Sequence, residues 1–86
     1  MIAYVDSSAI LKLIVADEEG RDIIADVRDA ADSVVTSLIA EPECRAALAA
    51  AHRAGRLSRG ELVRAKRDLT RLLQQTTIVE LAPALA

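Results

Sequence analysis

At 86 residues the chain has room for one domain at most, and a chain this short leaves a large part of its surface in water. One Tyr stands against no Phe and no Trp, which counts against RNA recognition by base stacking but not against phosphate-directed chemistry. A lone Cys44 excludes an internal disulfide, and with no long apolar run or leader segment it predicts a cytoplasmic protein with neither membrane span nor signal peptide.

The first element is a run of four apolar residues, Ile2 to Val5, that stops at Asp6 and is followed by Ser7 and Ser8. Such a run without polar alternation reads as a strand buried on both faces, as in parallel sheets covered by helices. Asp6 then stands at the strand's carboxyl end, the edge where ligands bind in open α/β sheets. Ser7 or Ser8 can cap the following helix, expected over residues 8–16. From its position alone, Asp6 is either a cap and turn residue or a metal ligand. Lys12, four residues after Ser8, shares that residue's helix face; it is either a cation near the acid or a side chain snorkelling at the domain edge.

Asp17 to Gly20 break the first helix, and Ile23, Ile24, Val27, Ala30 and Ala31 recur at helical spacing, predicting an amphipathic helix over 19–31. Ser33 to Thr36 form a second, β-branched strand ending at Ser37. A helical excursion between two apolar strands implies a right-handed crossover to a parallel neighbour, which places Ser37 on the same edge as Asp6. The next helix runs to about Ala54 and is closed by Gly55. Pro42 is tolerated there only in the first turn. Ser58 and Glu61 have capping-box spacing, and Leu62, Ala65, Leu69, Leu72 and Leu73 give the following helix its apolar stripe. These two helices form a hairpin, and Thr77 to Leu81 read as a third strand. His52, without recognisable partners, reads as an exposed surface residue, and Cys44 as a small core residue.

The net charge of −2 conceals a split. Residues 1–44 hold ten acids and three bases, whereas residues 45–86 hold three acids and eight bases. The bases of the second half are either a phosphate-attracting face or the solvated sides of the hairpin.

The stretch YVDSSAILKLIVADEEG resembles the opening of PIN-domain ribonucleases, in particular the VapC-like toxins of toxin–antitoxin pairs, in which a hydrophobic strand ends in Asp, then Ser or Thr, then Ser and Ala. VVTSLIAEPECRAAL resembles the family's next segment, a strand ending in Thr-Ser and a helix carrying Glu six residues after that Ser. The resemblance runs through the whole chain. It implies an α/β, PIN-like fold with a parallel β-sheet flanked by helices in the order β-α-α-β-α-α-β, forming a single incomplete domain over residues 1–86 whose C-terminal part, with further acids, is missing.

Carried over residue by residue, the resemblance makes Asp6 and Glu43 ligands of Mg2+ or Mn2+, with Ser8 orienting Asp6 or a metal-bound water. It implies hydrolysis of an RNA phosphodiester and neutralisation by a cognate antitoxin protein. Glu41 lies two residues from Glu43, on another helix face, and reads as an acid that compensates the helix dipole. The unpaired apolar edge left to Ile2–Val5 implies a homodimer or completion by a second chain. The alternative is a truncated, catalytically incomplete module acting in protein–protein binding. A phosphotransferase of the haloacid dehalogenase kind needs a second Asp where Ser8 stands, and a P-loop needs a Gly-rich turn that the sequence lacks.

Overall fold

The computed structural model describes residues 1–15, 26 and 28–80. Three strands, β1 (Ile2–Tyr4), β2 (Ser33–Ser37) and β3 (Thr77–Val79), form a sheet in the order β1-β2-β3, parallel throughout. The helices delimited among the described residues are α1 (Ser7–Ile14), α2 (Ala40–Arg53) and α3 (Arg59–Gln74). Of the expected helix over 19–31, residues 19–25 and 27 lie outside the described residues; Asp26 and residues 28–30 are helical, and Ala31 is not. Otherwise the element order is the expected one, an α/β arrangement with a parallel sheet.

One core joins these elements. Val5 of the first strand segment, Ile10 and Leu13 of α1, Ala40, Cys44 and Leu48 of α2, and Ala65, Leu69, Leu72 and Leu73 of α3 form a single buried cluster, with Val34 of β2 packed against it. The spacing of the α3 residues is the apolar stripe anticipated from the sequence. Burial of that stripe, rather than intrinsic propensity, holds a helix of this length.

The hairpin is closed from both sides. Gly55, at φ +76°, takes the left-handed conformation that glycine adopts without a Cβ penalty. The Arg56 N–H donates to the Ala51 carbonyl and the Gly55 N–H to the His52 carbonyl, at 2.9 and 3.0 Å, which together make a Schellman closure of α2. Three residues on, Ser58 and Glu61 exchange reciprocal bonds of 3.1 and 2.8 Å in a capping box that opens α3. His52 corrects an expectation here. It is half-buried, and its Nδ1 bonds the Leu57 carbonyl at 2.9 Å, so its ring clamps the turn instead of standing free in water.

The sheet departs from the two-sided burial read from its first strand. Ala3 and Val5 are buried, whereas Ile2 and Tyr4 are 72% and 53% exposed. An unbroken apolar run cannot distinguish a strand covered on both faces from one covered on a single face; here the core lies on the side of Ala3 and Val5. The backbone tells the same story. The Met1 carbonyl accepts from Asp32 N–H and the Val5 N–H donates to Val35, at 2.7 and 2.9 Å. Odd-numbered residues therefore point their polar groups at β2. In a parallel ladder the even ones, Ile2 and Tyr4, point theirs at the open edge. Among the described residues no helix is long and apolar enough to cross a membrane.

Candidate active site

Asp6 follows directly on β1, in extended backbone (φ −89°, ψ 178°), and is itself the N-cap of α1. This corrects the expectation that Ser7 or Ser8 caps the helix. Asp6 Oδ1 accepts from the Ala9 N–H at 2.9 Å and from the Ser8 hydroxyl at 3.0 Å. The backbone bond first and the Ser8 bond second hold the Asp6 carboxyl below the usual carboxylate range, because both donors favour the charged form. Asp6 is therefore anionic at neutral pH, with one oxygen fixed and Oδ2 without a hydrogen-bond donor among the described residues.

A depressed folded-state pKa gives a stabilisation that is present above the unfolded value and is lost as pH falls through the folded one. Replacing Ser8 with Ala removes one of the two donors. The Asp6 midpoint, followed by carboxyl NMR titration, is expected to move up towards the ordinary Asp value while remaining depressed by the Ala9 bond. An unchanged midpoint would show that the Ser8 hydroxyl does not reach Asp6.

The end of β2 is locked to the end of β1. Thr36, fully buried, donates its hydroxyl to the Val5 carbonyl at 2.6 Å, one residue before the acid. Ser37 Oγ accepts from the Ile39 N–H at 3.2 Å and sets the chain into α2. Sequence reading used the Thr-Ser pair only as a strand terminus. Its role as a brace for Asp6 was missed, although a hydroxyl at the end of an apolar strand is itself a signal, since a buried hydroxyl needs a partner.

Pro42 lies in the first turn of α2, two residues past its start at Ala40, where a missing N–H does no harm. Glu41 is drawn away to one side: its carboxylate pairs with Arg45 at 2.8 Å, and Arg45 also reaches Thr70 of α3 at 3.4 Å. Glu43 is exposed and has no ion pair among the described residues. Cys44, next to Glu43 in the sequence, donates its thiol to the Ser7 carbonyl at 3.5 Å. Burial pushes that thiol up to about 11, with the charges of Glu43 and Asp6 adding to the effect. The Cys44–Ser7 contact joins α2 to the first turn of α1, next to Asp6.

The chemistry offered is oxygen only. Cys44 remains a protonated thiol at neutral pH and is no thiolate ligand, so the donors suit a hard cation such as Mg2+ or Mn2+. Among the described residues no three of His, Cys, Asp and Glu converge as a metal-binding group; the donors fit such an ion in kind and fall short in number. An open depression of about 330 Å3 is lined by Tyr4, Asp6, Ser8, Ala9 and Lys12, so Lys12 does lie on the acid's side of α1.

The chain is 40% identical over 80 residues to Ribonuclease VapC45 of Mycobacterium tuberculosis (strain CDC 1551 / Oshkosh) and, to the same degree, to Ribonuclease VapC49 of Mycobacterium tuberculosis (strain ATCC 25618 / H37Rv). In each case the match takes in 93% of this chain and 55% of the relative, so the chain spans about half the length of these curated proteins. The PIN domain profile matches residues 3–86, from β1 to the last residue. With that match, and with a parallel α/β sheet that carries an ionised Asp at its carboxyl edge, this chain belongs to the PIN domain family.

Proposed function

We propose that these 86 residues form a single, incomplete PIN-like domain of a metal-dependent endoribonuclease, a VapC-like toxin that hydrolyses RNA phosphodiester bonds and is neutralised by a cognate antitoxin protein. The observation that carries this reading is Asp6: an anionic carboxylate fixed at a strand-to-helix junction, at the ligand-binding edge of a parallel sheet. The printed names of the two relatives, both ribonucleases, support it.

In this reading Asp6 and Glu43 hold Mg2+ or Mn2+, and Ser8 keeps Asp6 oriented and ionised. Such an ion, when bound, supplies a Lewis acid and a water of lowered pKa. The remaining acids come from elsewhere. The open edge of β1, with the backbone groups of Ile2 and Tyr4 directed outward, supports completion by a second chain or a second copy. A different reading, a catalytically incomplete module that acts by protein binding, is favoured by one observation: no third acid joins the pair among the described residues.

Incubating the chain with a mixed RNA pool in Mn2+ or Mg2+, beside a sample in EDTA, decides between them. Internal cleavage that needs the metal is the expected result. A folded chain that leaves the pool intact in both would transfer the assignment to the binding module.

A further inference from the structure

The chain's single aromatic residue stands at its candidate site. Tyr4 lines the same depression as Asp6, Ser8 and Lys12, and two-residue spacing in extended backbone puts Tyr4 and Asp6 on one face of the strand, their Cα atoms roughly 6–7 Å apart. Tyr4 is 53% exposed. An exposed aromatic side chain is the common platform for an unpaired base, because every nucleobase has a face that stacks. Lys12, which also lines the depression, supplies an ammonium group with no ion pair among the described residues, suited to a phosphate. The size of the depression, about 330 Å3, lies at the small end of ligand sites and fits one nucleotide rather than a duplex.

We propose that Tyr4 is a base-stacking, positioning residue that holds a nucleobase of single-stranded RNA beside the phosphodiester presented to Asp6, with Lys12 on a neighbouring phosphate. The inference rests on the ribonuclease reading and deepens it by naming a subsite. It also reverses the meaning of the low aromatic content, since one ring at the acid is enough for one base.

The test uses binding in EDTA, where no cleavage interferes. A fluorescein-labelled single-stranded RNA 12-mer is titrated with the full chain and followed by anisotropy, together with a set of the same oligonucleotides carrying one abasic nucleotide at each position in turn. Tyr4→Leu is expected to weaken binding about 5- to 150-fold, the range found for loss of one stacked base. Tyr4→Phe should bind within about twofold of the native chain, as expected where the ring face carries the contact. At one position the abasic substitution should weaken the native chain as much as Tyr4→Leu does and add nothing to that variant. Additive effects, or equal losses in Tyr4→Phe and Tyr4→Leu, would overturn the assignment. The abasic series on the native protein needs no variant to fold, and binding indifferent to every abasic position would overturn it as well.

The two readings fail separately. Metal-dependent cleavage with Tyr4-independent binding removes the subsite and leaves the nuclease. Tyr4-dependent binding without cleavage in Mn2+ removes the nuclease and leaves the subsite. Absence of RNA binding removes the subsite.

Discussion

Asp6→Asn is expected to abolish metal-dependent RNA cleavage while leaving the fold intact. Asn is as good an N-cap as Asp, and its side-chain oxygen can still accept from the Ala9 N–H, so the urea midpoint should stay close to that of the native chain. What disappears is the negative charge. Removal of one electrostatic group from a transition state typically lowers the rate about 100- to 1,000-fold, and a fall in that range or beyond is expected in a gel assay of RNA cleavage. Asp6→Ala should show the same loss of cleavage and, in addition, about 1 kcal/mol less stability from the missing cap. The comparison separates the two tasks of one carboxylate. Glu43→Gln should resemble Asp6→Asn in cleavage, whereas Glu41→Gln should lose only a half-buried contact with Arg45. Cleavage undiminished in Asp6→Asn would mean that the carboxylate only caps α1.

Ile10→Ala carries the largest expected change in stability. Ile10 has no exposed surface and sits in the core cluster from the middle of α1, the helix whose first turn holds Asp6. Truncating a buried Ile to Ala costs about 2–5 kcal/mol through lost transfer energy and the cavity left behind. Domains are stable by only about 5–15 kcal/mol, so this one change removes a large share. Urea unfolding monitored by circular dichroism measures it, and Ile10→Val, with an expected cost of about 0.5–1.5 kcal/mol, grades the response. A loss below about 1 kcal/mol for Ile10→Ala would mean that α1 is loosely seated and that the site depends less on this helix than the packing implies.

The sequence made the strand-to-helix junction at Asp6 legible because an apolar run, an acid and two hydroxyls leave few other arrangements. It left the capping residue ambiguous, since Asp and Ser are equally suited, and only the extended backbone at Asp6 decides. The hairpin was legible to its last cap, because Gly55 and the Ser58–Glu61 pair act through local bonds. His52 was misread, and the Arg45 partner of Glu41 went unread, for the opposite reason. Their partners, the Leu57 carbonyl for one and Arg45 leaning on Thr70 for the other, depend on how the turn and the neighbouring helix lie. The exposure of one sheet face was equally hidden, because composition cannot say which side of a strand the core will take. Glu43 is exposed in the first turn of α2, and Glu43→Gln measures its part in cleavage.

The hairpin closure also bears on the order in which the chain folds. Within Ala40–Gln74 the caps and the bonds between the two helices join residues near in sequence or on facing helices, so this segment can form with little loop to close. Pairing of β1 with β2 must instead bring together residues some thirty positions apart, as the bonds from Thr36 to Val5 and from Asp32 to Met1 record. Chain closure over that span is entropically slower to be rewarded than a local helix pair. The α2–α3 unit is therefore expected to form before β1 pairs with β2, with the acid at the end of β1 placed last; pulse-labelled hydrogen exchange during refolding would show protection in Ala40–Gln74 ahead of residues 2–5.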